Sequence, residues 1–123
     1  MKFKLIIGFI LSISFIGARA QHIDDEKLAH YQAECAGTFM ILAKYFDHLD
    51  SKDIAIKMSA QSNKSLKIAF SLANKHNLPE SFVNDSFIKY VFAIGDGLRE
   101  DQNFWINYLI TDAKTCQYVN DKF

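Results

Sequence analysis

Two cysteines carry the most definite chemistry in this 123-residue chain: Cys35 in "QAECAG" and Cys116 in "AKTCQY". A thiol pair can form a disulfide, bind a metal or act as a nucleophile. No C-x-x-C is present, so a thioredoxin-like redox motif is excluded, and no C-x-x-C-H offers covalent haem attachment. Two cysteines without convergent histidines make a poor zinc site. The leading expectation is one intramolecular bridge, Cys35 to Cys116, in an oxidising compartment; two buried free thiols are the alternative, ahead of a thiol nucleophile.

The other polar groups are weaker signals. His22, Glu26, His30 and Glu34 recur every four residues, a ladder of imidazoles and carboxylates along one helix face. Both groups bind divalent transition metals. The di-metal bundle motif, however, is Glu-x-x-His on paired helices, and here the spacing is Glu-x-x-x-His with no second pair. The ladder reads as an exposed face of i,i+4 pairs. Asp47, His48, Asp50 and Asp53 read as a solvated turn. Asp96, Glu100 and Asp101 beside Gly95 and Gly97 do not match the calcium-loop pattern. No G-x-S-x-G, H-E-x-x-H or phosphate-binding loop occurs. No catalytic residue, metal or cofactor is assigned from these patterns.

The N-terminus supplies the compartment. "MKFKLIIGFILSISFIGARA" has Lys2 and Lys4, an apolar run from Leu5 to Ile16, and an A-x-A site at Ala18-Arg19-Ala20. This is the layout of a secretory signal peptide over residues 1–20. Its apolar run is shorter than the ~20 residues a membrane-spanning helix needs. Residues 21–123 then form one exported domain, periplasmic or secreted, with no stable membrane anchor after cleavage. That domain has 11 basic and 14 acidic residues, a net charge of −3 with His neutral. Such a balance argues against nucleic acid as a partner, since backbone neutralisation needs a basic surface.

The elements that must position these residues are helices, and the fold class is all-α: a small four-helix, bundle-like domain. Leu28, Tyr31, Cys35, Phe39, Leu42, Phe46 and Leu49 recur at spacings of three and four, predicting a first helix over about 24–49. Asp24, Asp25 and Glu26 fall in its expected first turn. Asp50 or Ser51 is placed to cap a second helix over 52–75. Its apolar positions are Ile54, Ala55, Met58, Leu66, Ala69, Phe70, Leu72 and Ala73. Its polar middle, "SAQSNKS", predicts a kink or partial exposure. Pro79 opens a third helix to about Ile94, with Phe82, Val83, Phe87, Tyr90, Val91 and Ile94 on one broad side. "IGDGL" predicts a stop at Gly95 and a restart capped by Asp96. The fourth helix, 98–119, carries Leu98, Trp105, Leu109, Cys116 and Val119 on its stripe, interrupted by Gln102 and Asp112. Each cysteine therefore lies on the inward stripe of a terminal helix, and a bridge would join the first helix to the last.

Aromatic content points to function. Ile88 and Phe92 lie off the stripe of the third helix, and Phe104 and Tyr108 off that of the fourth, while Trp105 reads as core. A helix apolar on several faces is either enclosed or has a second partner. These four residues are the candidates for binding another protein in the exported compartment, in the manner of an inhibitor, an immunity or exclusion factor, or a chaperone. The alternative is a carrier holding a small apolar ligand between helices, marked by a cavity lined with Phe and Met. A hydrolytic enzyme with convergent carboxylates or a His/Asp pair is the third expectation.

Overall fold

The computed structural model describes the backbone from residue 18 onward and the side chains from residue 25. The four helices are α1 (Ala18–His48), α2 (Lys52–Lys75), α3 (Glu80–Glu100) and α4 (Gln102–Asn120). The expected leader, residues 1–20, lies outside the described residues except for Ala18–Ala20, which open α1. Among the described residues no helix is long and apolar enough to cross a membrane.

α1 is the spine against which the other three helices pack, and its faces differ. The face toward α2 is built from small residues. Ala29, Ala33 and Ala36 are fully buried there, opposite Ala69, Ala73 and Ser62. Small side chains let helix backbones approach closely. The Ser62 hydroxyl donates to the Ala36 carbonyl across this seam at 2.8 Å. The polar middle of α2 is partly exposed, as expected, within one continuous helix: Ser59, Ala60 and Asn63 face solvent while Ser62 and Ser65 are buried. The face of α1 toward α3 and α4 carries larger side chains. Cys35, Phe39 and Leu42 are buried with Ile94, Ile106, Leu109, Ala113 and Cys116. Cys35 and Cys116 form the expected disulfide, with Cα atoms 5.7 Å apart, and no cysteine is free.

The main correction concerns the glycines. α3 does not stop at Gly95; it runs to Glu100, and Asp96 pairs with Arg99 on its surface instead of capping α4. Gly97 is helical because its missing side chain makes room for α4. A Cβ there would lie 2.5 Å from Trp105 Cε2. The break falls at Asp101, whose carboxylate accepts from the Phe104 N–H at 3.2 Å and caps α4. Gly37 plays the matching role on α1, where a Cβ would meet the Tyr90 ring at 2.7 Å. Leu98 accordingly belongs to α3.

Other boundaries shift for local reasons. α1 starts at Ala18, so no acidic residue occupies its first turn. Ser51 stands at the N-cap of α2 without a side-chain cap bond, and Asp50 takes the left-handed conformation at φ 63°. Lys52 instead reaches Asp47 at 2.6 Å across that turn. Leu49, expected on the buried stripe, lies past the end of α1 and is 55% exposed.

Candidate functional site

The four residues expected to bind a partner are all exposed. Ile88 is 47%, Phe92 70%, Phe104 57% and Tyr108 42% exposed. They fall into two groups. Phe104 and Tyr108 are one turn apart on α4, and Trp105 lies between them, its ring edge-on to both at 5.2 and 5.3 Å. Trp105, expected as core, is half-buried against Gly97. Ile88 and Phe92 are one turn apart on the outer side of α3, turned away from the buried positions Val83, Ser86, Ile94 and Gly97. No ring contact joins Phe92 to the α4 group among the described residues.

Beneath Tyr108 lies a polar network that the stripes only hinted at. The Thr38 hydroxyl donates to Asp112 Oδ2 at 2.7 Å and meets the Tyr90 hydroxyl at 2.6 Å. Thr38 has one proton and gives it to Asp112, so Tyr90 donates to Thr38. The Tyr90 hydroxyl also lies 3.5 Å from the same Asp112 oxygen. The bonds therefore run from Tyr90 and Thr38 to Asp112, linking three helices. Thr38 is fully buried. Gly37 beside it admits the Tyr90 ring that completes the chain.

Burial sets the electrostatics. It pushes the Asp112 carboxyl above the usual aspartate range, and the hydroxyls of Thr38 and Tyr90 pull it partly back. Burial likewise raises Glu34, against the lowering effect of His30. Tyr31 is pushed up to about 12, first by burial and then by the charges of Asp112, Tyr108 and Glu34. Tyr90 and Tyr108 are raised mainly by burial. These phenols stay neutral donors and acceptors near pH 7. The network fixes Tyr90 and Asp112, and Tyr108 packs beside it with its ring against Trp105.

The His/Glu ladder is divided by its surroundings. His30 Nε2 is 3.1 Å from Glu34 Oε2, and its Nδ1 is 2.9 Å from Ser86 Oγ on α3. Serine, histidine and glutamate in contact invite comparison with a hydrolytic triad. The arrangement runs the wrong way. Ser86 is buried and gives its proton to the Phe82 carbonyl at 2.9 Å, so His30 donates to the serine rather than accepting from it. A helix-interior serine also has no free backbone N–H beside it for an oxyanion. No group of three or more His, Cys, Asp or Glu residues suited to a metal occurs among the described residues. Asp25 ties the start of α1 to the end of α2 through His76 at 2.7 Å.

A groove of about 730 Å³ runs along α2 and the start of α3. Leu66, Phe70 and Leu78 share its lining with Asn63, Lys67 and Glu80, and it opens to solvent. A Phe- and Met-lined interior cavity is a different feature, so the groove gives the carrier reading little support. No protein-family model, curated protein or solved structure matches this chain.

Proposed function

We propose that this chain is an exported protein, periplasmic or secreted, that acts by binding another protein through the outer faces of α3 and α4. The observation that carries the reading is the contiguous Phe104–Trp105–Tyr108 cluster at the start of α4, with Phe104 more than half exposed. Single exposed apolar residues are ordinary; a contiguous aromatic group on a rigid element is the composition of a binding centre. The Tyr108 ring rests on Trp105 before any partner arrives, which lowers the ordering entropy of association. Phe92 and Ile88 extend the apolar surface along α3. The disulfide and the leader-like N-terminus support the compartment. The binding modes that fit are those of an inhibitor, an immunity or exclusion factor, or a chaperone.

The test is a pair of variants, Phe104→Ala and Tyr108→Ala, compared with the unaltered chain by pull-down from the exported fraction and by chemical denaturation. Loss of a captured protein with an unchanged denaturation midpoint is the expected result. A lower midpoint with capture intact would return both rings to the fold.

A further inference from the structure

The disulfide is flanked by two polar pairs, and only one of them is satisfied. α1 and α4 run antiparallel past the Cys35–Cys116 bridge. Three residues after Cys35, Thr38 bonds Asp112, which lies four residues before Cys116. On the other side, three residues before Cys35, stands Gln32. Its counterpart four residues after Cys116 is Asn120. Both are fully buried. Asn120 Nδ2 donates to Gln61 Oε1 at 3.0 Å and to Ser65 Oγ at 2.9 Å, which places it where α4 meets α2. Helical phase puts Gln32 on the side of α1 that meets the same junction. Along α1 it falls between Cys35, which faces α4, and Ala29 and Ala36, which face α2.

Three buried polar atoms of these two residues have no hydrogen-bond partner: Gln32 Nε2, Gln32 Oε1 and Asn120 Oδ1. One is a donor and two are acceptors. Buried carboxamides in this condition are costly, and folds satisfy them with internal water. A water has two protons and two lone pairs, which matches this set. We infer that the α1–α2–α4 junction beside the disulfide is an internal water site, in which a bound water accepts from Gln32 Nε2 and donates to Asn120 Oδ1. A second water at Gln32 Oε1 completes the amide. The site bridges α1 to the C-terminal turn of α4, on the far side of the disulfide from the Thr38–Asp112 bond.

The experiment is water-to-protein NOE and ROE spectroscopy on the intact, oxidised chain, read at the side-chain amide protons of Gln32 and Asn120. NOE and ROE cross-peaks of opposite sign at Gln32, the mark of a long-held water rather than of proton exchange, are the expected result. Their absence, with NOEs showing the Gln32 carboxamide packed directly on that of Asn120, would overturn the site. Gln32→Met keeps the length of the side chain and removes its polar atoms. In that variant, once the native fold is verified by its spectrum, the water cross-peaks to Asn120 should be lost. Their persistence would show that the water does not bridge the two amides. The measurement on the unaltered chain decides the matter even if the variant does not fold.

Discussion

The α1–α2 pair and the α3–α4 pair solve the same packing problem by different means. α1 and α2 meet through Ala29, Ala33, Ala36, Ser62, Ala69 and Ala73, so their backbones approach closely over a long seam. α3 and α4 carry larger side chains. They are held to α1 by specific fastenings: Tyr90 over Gly37, Thr38 to Asp112, and the disulfide. Trp105 over Gly97 joins the two to each other. α2 nonetheless exposes the aliphatic side chains of Ile54 and Ile56 near its start, at 42% and 67%. Helices fastened at a few points can keep aromatic rings outside, and α3 and α4 do so with Phe92, Phe104 and Tyr108.

The largest expected effect comes from removing the covalent fastening. The bridge joins residues 81 apart in sequence. On the chain-entropy account a loop of that length stabilises the fold by about 4 kcal/mol. The double variant Cys35→Ser/Cys116→Ser should lose stability by roughly 2–5 kcal/mol in chemical denaturation, the usual cost in small exported domains. An unchanged midpoint would make the fastening redundant and remove the contrast between the two pairs.

Next come the close approaches in each pair. Ala69→Leu forces a large side chain into the α1–α2 seam, and Gly97→Ala drives a methyl group against the Trp105 ring. Overpacking of this kind costs about 1–3 kcal/mol. Gly95→Ala is the control: a Cβ there meets nothing within 4 Å. In a helix interior it should stabilise by about 0.5–1 kcal/mol. Equal effects at Gly95 and Gly97 on thermal unfolding would show that Trp105 does not depend on Gly97.

This pair of glycines also marks where sequence stops being informative. Gly-Asp-Gly between two apolar runs is the usual signature of a helix end, and the local signal at "IGDGL" was sound by itself. It failed because Gly97 answers to Trp105, eight residues on and in another helix. The bounds of α2 were legible because its flanks, Ser51 and the Pro79 region, are local punctuation. The disulfide was legible because two inward stripes and one pairing left no choice. The exposure of Ile88, Phe92, Phe104 and Tyr108 follows from helical phase alone. The Tyr90–Thr38–Asp112 chain was not legible, since it draws on three helices; its trace was a carboxylate interrupting an apolar stripe at Asp112.

That carboxylate gives the smallest effect, one of pH. Asp112 and Glu34 are both raised by burial, so the folded chain holds their protons more tightly than the unfolded chain does. Their contribution is therefore present at acidic pH and lost as pH rises through their folded values. Stability should fall between the ordinary carboxylate range and neutrality, opposite to the usual carboxylate sign. Asp112→Asn, which keeps an acceptor for Thr38, should flatten that slope in denaturation midpoints measured from the ordinary carboxylate range up to neutrality. An unchanged slope would place the effect elsewhere than in the α1–α3–α4 network.

The contrast between the pairs has one direct consequence for function: a partner should be reached from α3 and α4 and not from the outer side of α2. A photo-reactive residue can replace Phe92, Phe104 or, on the exposed side of α2, Ser59. Each variant is then irradiated in the native compartment and its adducts are identified by mass. The account predicts one and the same protein cross-linked from positions 92 and 104, and none from 59. That protein cross-linked from 59 instead, or no adduct from either aromatic position, would contradict it.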